Sequence, residues 1–436
     1  MNIVAKDSDS WLTQHANANL TNHNLEWLNQ QRKQALQHFE KVGLPGVRDE
    51  QWRYTNLSVL KNKVFDLSSP SVSNTDLTNI LTDNGGTKLV FVDGHFSQSD
   101  SILQRLPEEV TLLNLSQTLA NSPDLIEHHF GSTIPSNQHG FTALNSAYCQ
   151  DGYVLIIPNG VTLEEPIEIV FFTNNNDAQV SHNRNLVIAE TNSKCTVIER
   201  YIGADNGVYL NNSVTEIIAA DNAHIDHYKI QQESNEAFHI GGVFICQAAN
   251  AHVKNHNIAL SGLVTRNDII ADLTAPGSHI EMNGLVLGSD RQHFDNHTQV
   301  NHLVPHCTSD EYYKTILDDK SRSIFRGRIV VAEDAQQTNA DQQNNNLLLS
   351  KGAEADTLPQ LEIYADDVKC SHGATVGQLD EASLFYLRSR GISLESATSL
   401  LTIGFANEVI DRIQVGTLRE EITQQIVGQL LSTTEV

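Results

Sequence analysis

No two of the five cysteines stand closer than Cys149 and Cys195, 46 residues apart. No C-x-x-C exists, so neither a zinc ribbon nor a self-contained ferredoxin-type cluster is written locally. The odd count and wide spacing suit a reducing cytosol and argue against a disulfide framework. No apolar run approaches the ~20 residues that span a bilayer, and mean hydropathy is −0.30. Met1 to His15 carries Lys6 but no apolar stretch behind it, so no secretory signal is expected; a cytoplasmic location is the expectation, with a processed periplasmic or organellar protein as the alternative. Basic residues are scarce, 28 against 53 acidic, for a formal net charge of −25. Such a surface repels phosphate backbones and anionic lipid, which excludes nucleic-acid and membrane-surface binding. Nucleotide and hydrolase motifs are absent too. There is no G-x-x-x-x-G-K-[ST] to cradle phosphates, so no nucleotide is bound by this chain, and no G-x-S-x-G, H-E-x-x-H or G-x-G-x-x-G.

What is present divides 436 residues into three zones. Residues 1–87 read as an N-terminal helical region. Trp27, Leu28, Ala35, Leu36 and Phe39 recur at helical spacing until Gly43, Pro45 and Gly46 break the pattern. The polar stretch Ser68 to Asn84 reads as a mobile connection. Residues 88–372 form a mainly β core. Short Val- and Ile-rich segments, such as Tyr153 to Ile157, Ile167 to Phe172, Val214 to Ala219 and Gly284 to Leu287, are punctuated by Asn, Asp, Gly and Ser with almost no helical periodicity. His224, His252 and His279 each follow a small residue and open a polar/apolar alternation, 28 and 27 residues apart. Strands repeating in the 20s without helices predict a parallel β-helix, with a two-sheet sandwich as the rival.

Residues 373–436 read as a C-terminal helical domain. Asp380 and Ser393 cap two helices and Gly391 stops the first. Thr417 with Glu420 has capping-box spacing for a third. Three helices after a strand-rich core predict either a docking appendage or a lid over the solenoid end. Leu384, Phe385, Leu401 and Phe405 are the apolar candidates for docking a partner.

Two places carry metal-ligand types. In an extended strand, residues two apart share a face, so Cys370 and His372 present a thiolate and an imidazole side by side, a set that suits iron or zinc. Two ligands do not close a site, so sulfide, substrate or a partner chain must supply the rest. The second place, His293, Asp295 and His297, puts two imidazoles and a carboxylate on one strand face, with His302, His306 and Cys307 close behind. Its alternative reading is a polar ladder on the outside of a solenoid.

The segment Leu361-Glu362-Ile363-Tyr364-Ala365-Asp366-Asp367-Val368-Lys369-Cys370-Ser371-His372-Gly373-Ala374-Thr375 resembles the signature of the SufD family of iron–sulfur assembly proteins. Leu384-Phe385-Tyr386-Leu387-Arg388-Ser389-Arg390-Gly391-Ile392, Phe325-Arg326-Gly327, Ala340-Asp341-Gln342 and Asn346-Leu347-Leu348-Leu349-Ser350 match patterns shared by SufB and SufD. Gly43-Leu44-Pro45 and Trp52-Arg53-Tyr54-Thr55 look like the family's opening region. The resemblance implies a right-handed parallel β-helix between helical ends and a non-catalytic scaffold subunit. It implies a complex with a SufB-like paralogue and a SufC-like ABC-type ATPase, of composition SufB–SufC₂–SufD, and a homodimer in isolation. It also implies a transient Fe–S cluster at the partner interface, held there by His372 with Cys370 as a second candidate, and passed on to carrier or apo-proteins. These motifs do not assign a flavin, the iron and sulfur donors or the cluster type. Two rival classes follow from the residues alone. One is a β-helix polysaccharide-active enzyme. The other is a stand-alone metal-binding protein built on His293, Asp295 and His297.

Overall fold

The computed structural model describes residues 25–61, 63–71, 86–103, 106–135, 138–174, 178–204 and 206–432. Its body is a parallel β-solenoid of two facing sheets. One stacks Tyr153–Ile157, Arg184–Ala189, Tyr209–Ala219, Phe238–Gln247, Val264–Leu273, His293–His302 and Arg322–Val331. The other stacks Ile167–Thr173, Lys194–Gly203, His224–Gln232, His252–Ala259, His279–Gly288, Thr308–Leu317, Thr338–Leu348 and Val368–Gly377. Each strand pairs in parallel with the strand one coil on, which excludes the sandwich, whose neighbours run antiparallel. The histidine repeat is a true coil repeat. His224 pairs in register with His252, and His252 with His279. The first two rings stack at a centroid distance of 4.9 Å, and the third lies tilted against the second at 5.5 Å.

Alternating residues of both sheets point inward. Val187, Val197, Ile217, Val243, Ile245, Val253, Ile269, Ile280 and Val300 build one continuous core along the axis. At the corner between the sheets the chain must reverse within a few residues, and each coil uses a left-handed residue there. Asn192, Asn222 and Asn250 adopt φ of 59°, 57° and 54°, which Asn tolerates better than most residues. Their side chains form a ladder, Asn222 Nδ2 donating to Asn192 Oδ1 at 3.0 Å and Asn250 Nδ2 to Asn222 Oδ1 at 3.3 Å. Gly277 takes the next step at φ 79°, where a Cβ would come 2.2 Å from Asn250 Oδ1. His306, at φ 64°, occupies the same corner one coil later.

The N-terminal helix Glu26–Val42 buries Leu28, Ala35 and Phe39 and ends at Gly43, φ 64°, as its periodicity predicts. Residues 72–85, most of the polar connection, lie outside the described residues. Within the stretch read as free of helices, the structure places Leu115–Asn121 and Gly140–Tyr148. The second is buried on nearly every side, so it carries no polar face and no legible period.

The C-terminal helices Glu381–Ser389, Leu394–Ile410 and Gly416–Ser432 follow the cap signals for two of three. Asp380 Oδ2 accepts from Ser383 N at 2.9 Å, Ser393 Oγ from Ser396 N at 3.1 Å, and Gly391 stops the first helix at φ 86°. The third helix opens at Gly416, which leaves Thr417 inside its first turn rather than at a cap. These helices do not close the solenoid end. Val409, Ile410, Ile413, Leu418, Ile422 and Ile426 lie on the outer face of the second sheet, against Ile198, Ile230, Ile258, Leu285 and Ile316. Arg200 Nη1 and Nη2 donate to Glu421 at 2.6 and 2.7 Å across that contact. Six buried aliphatic side chains at about 1.5–3 kcal/mol each put on the order of 10 kcal/mol into it, so the last two helices are part of the body rather than a removable appendage.

Candidate functional site

The two ends of the solenoid differ. At the start, antiparallel strands His95–Ile102 and Thr111–Asn114 finish the two sheets. At the far end, Val368–Gly377 pairs with Thr338–Leu348 on one side, and no described strand follows on the other. Residues 371–378 are exposed, as are Ile363, Tyr364 and Val376. A long parallel edge with free N–H and C=O groups is a template for another chain.

The signature segment is not one strand. Gln360–Ile363 belongs to the first sheet, Val368–Gly377 to the second, and Tyr364 to Asp367 turn the corner between them. The register then settles which way the Cys/His pair points. Cys370 lies over Ala340, and His372 over Gln342. In-register parallel neighbours share a side of the sheet. Ala340 and Gln342 are buried inside the solenoid, so Cys370 and His372 take the interior side, on the coil where that interior opens. Cys370 is half-buried against the small cluster of Ile329, Val331, Ala335 and Ala340, and burial pushes its thiol up from the ordinary range. His372 is exposed. Ser371 points the other way and donates to Asp341.

Beneath His372 runs a polar column of which the quoted motifs hold Gln342 and the facing Gly327 but not Glu311 or Thr298. Gln342 lies over Glu311, and Glu311 over Met282. Thr298 Oγ1 and Gln342 Nε2 donate to Glu311 Oε2 at 2.7 and 2.9 Å. Burial lifts the Glu311 carboxyl to about 7. Gly327 faces this column from the opposite sheet, and a Cβ there would sit 2.1 Å from Gln342 Nε2. Counting back one coil, about 30 residues, from His372 finds Gln342 and then Glu311; the coil period is the signal that points to them. Farther along the same interior, beyond apolar Met282, sits a separate ionic cluster. Glu199 accepts from Tyr153 Oη, Tyr201 Oη and Thr215 Oγ1 at 2.8, 3.0 and 2.7 Å. Burial raises Glu199, but His227 and Lys229 outweigh it and hold the carboxyl at about 2, while burial pulls Lys229 down to about 8.

His293, Asp295 and His297 do share a strand face, on the outside of the first sheet. There they meet Arg266 and the N-terminal region. Asp295 Oδ2 accepts from Arg266 Nη1 at 2.7 Å and from Thr55 Oγ1, and His297 Nε2 lies 3.0 Å from Oδ1. His293 Nε2 and Thr55 Oγ1 are 3.0 Å apart. Arg266 lies 4.0 Å above the Trp52 ring and donates to Gln51 O and Asp268. Burial raises the Asp295 carboxyl, but Arg266 and His297 outweigh it and hold it below the usual carboxylate range. A guanidinium already occupies the centre of this array, and it anchors the Trp52 to Thr55 segment to the sheet. His302 is buried against Ser309 Oγ at 2.9 Å. Among the described residues, no group of three or more His, Cys, Asp or Glu is placed to hold a metal ion. The Cys370/His372 pair likewise needs ligands from outside the chain.

The docking candidates separate in the same way. Phe385 is 74% exposed, and the helix Glu381–Ser389 buries none of its residues. Leu384 and Leu401 are half-buried. Phe405 packs against the solenoid, with Lys314 Nζ 4.0 Å over its ring.

Residues 171–405 match the family profile described as "SUF system FeS cluster assembly, SufBD core domain", and residues 8–169 match "SufBD protein N-terminal region". The chain belongs to the SufBD family of iron–sulfur cluster assembly proteins. It is similar to the iron-sulfur cluster assembly protein SufD of Escherichia coli, 32% identical over 92% of both chains. It is 31% identical to a SufBD family protein of Synechocystis sp. over 90% of this chain and 89% of that one. The protein named SufD in Bacillus subtilis is 27% identical over 92% of this chain and 93% of its own. The SufBD core match runs past the β-core limit at 372 and into the second C-terminal helix, in keeping with how closely that helix packs on the sheet. No helix among the described residues is long and apolar enough to cross a membrane.

Proposed function

We propose that this chain is the SufD-type subunit of a scaffold that assembles iron–sulfur clusters and passes them to carrier or apo-proteins. In this reading a SufB-like paralogue docks on the open edge Val368–Gly377. Two copies of a SufC-like ATPase complete the assembly, one of them held by the C-terminal helices around exposed Phe385. The chain works in the cytoplasm, binds no nucleotide and catalyses nothing by itself. The cluster is cargo, and His372 is its ligand on this side of the interface. The observation that carries the reading is the position of His372, an exposed imidazole on the interior-facing side of a terminal strand whose outer edge pairs with no described strand. Such a group is free to share a metal with whatever chain covers the edge. A neutral imidazole offers one lone pair to iron and loses it when protonated. Cys370 is the weaker candidate, because its thiol is half-buried and held protonated by that burial.

The test is co-expression with SufB- and SufC-type partners, with cluster content read by absorbance and iron and sulfide analysis. His372→Ala should co-purify in the normal ratio yet hold little cluster, and Cys370→Ala should lose less. A wild-type cluster yield from an intact His372→Ala complex would remove His372 from the site. Failure of both partners to co-elute with the native protein would end the scaffold reading.

A further inference from the structure

His372 does not stand on a bare edge. The residue directly beneath it, Gln342, is fully buried, and its amide has two unlike ends. The NH₂ end is committed away from the opening, donating to Glu311 Oε2 at 2.9 Å. Glu311 is fixed in turn by Thr298 Oγ1 at 2.7 Å. Once Glu311 is ionised, above about 7, its carboxylate only accepts, and the amide cannot flip without losing the bond. Its other end, Oε1, is buried and has no hydrogen-bond partner among the described residues. A buried carbonyl oxygen without a donor is costly, and native interiors seldom leave one. The opposite wall is kept clear by Gly327, where a Cβ would collide with the amide. The nearest position on the strand above, one strand spacing away at ~4.8 Å, belongs to His372.

We propose that Gln342, held in one orientation by Glu311, is a positioning residue for His372: its Oε1 accepts the imidazole N–H, fixing one tautomer and leaving the other ring nitrogen bare. A metal takes the nitrogen that carries no proton, and the hydrogen bond on the opposite nitrogen decides which one that is. The column thus presents a ligand lone pair in a set direction before any partner or cluster arrives, which lessens the ordering cost of binding. Its use for a cluster rests on the reading of His372 as a ligand; the tautomer control does not.

The experiment uses the full-length, metal-free chain labelled with ¹⁵N-histidine, with the His372 resonances assigned by their loss in His372→Ala. Long-range ¹H–¹⁵N spectra above pH 8 give the tautomer ratio. In the native protein one tautomer should dominate beyond the free-imidazole ratio by about fivefold, the bias one net hydrogen bond supplies. Gln342→Met, close in length but without the amide, should return the ratio to that of a solvent-exposed imidazole. Gln342→Asn, which keeps a polar group inside but withdraws it by one methylene, should do the same. A ratio unchanged within twofold in whichever of the two variants folds overturns the proposal. The two ideas fail separately. A tautomer that responds to Gln342 beside a His372→Ala complex with full cluster content sinks the ligand assignment alone. A cluster-deficient His372→Ala complex with an indifferent tautomer sinks the positioning role alone.

Discussion

Two alternate-residue arrays on strands of one solenoid carry metal-ligand side chains, and they were built for different ends. His293, Asp295 and His297 have the better inventory on paper, two imidazoles and a carboxylate. Cys370 and His372 offer less. In the fold the richer array is closed. Arg266, sandwiched between Asp268, Asp295 and the Trp52 ring, supplies the positive charge a metal would bring. The poorer pair is open, on a terminal strand whose second edge pairs with no described strand. Ligand types alone do not make a site; what matters is whether the lone pairs are already spent. A buried carboxylate with a guanidinium partner is spent, whereas an imidazole on a free edge is not.

The contrast can be broken from either side. The largest effect should come from Asp295→Ala, which leaves buried Arg266 with Asp268 as its remaining acidic partner and Thr55 Oγ1 without its acceptor, and should cost about 3 kcal/mol in urea unfolding, the low end for broken buried pairs. A loss under 1 kcal/mol would mean that the network is ornamental and the array is free for other use. Next is Glu311→Gln. The native carboxyl titrates near 7 and its unfolded counterpart near ~4.3. The folded state therefore binds more protons between those values, and stability falls as pH rises through that window. The variant should abolish the fall and be more stable than wild type at pH 8 by roughly 2–3 kcal/mol. Identical pH 5 to pH 8 differences in both proteins would contradict the burial argument. Gly327→Ala should cost about 1–3 kcal/mol by pressing a methyl onto the Gln342 amide; a neutral result would show that the column has room to move. The smallest effects belong to the open end. His372→Ala and Phe385→Ala should each change stability by less than about 0.5 kcal/mol, while acting on cluster content and partner binding respectively. A large destabilisation by either would turn a functional surface into a structural one.

Much of this was readable beforehand. The strand punctuation and the 27–28-residue histidine spacing come from a physical repeat. Stacked coils place equivalent residues one above another, so a side chain tolerated at one corner is tolerated at the next. Asp380, Ser393 and Gly391 were legible because caps and stops are local chemistry. The helix Gly140–Tyr148 was not legible, because burial on all sides removes the polar face that makes a period visible.

The sequence by itself determined the solenoid, the helical ends and the family, since these rest on short-range pattern and on motifs that survive divergence. It also brought Cys370 and His372 to one face, because two residues in a strand always share one. Which face that is, and what stands behind it, was decided only by the stacking of coils. Register puts Gln342 and Glu311 beneath His372 and Arg266 beside Asp295. Thr55 meets Asp295 across 240 positions of chain. Contacts of that range depend on every coil between them, and no local pattern records their sum.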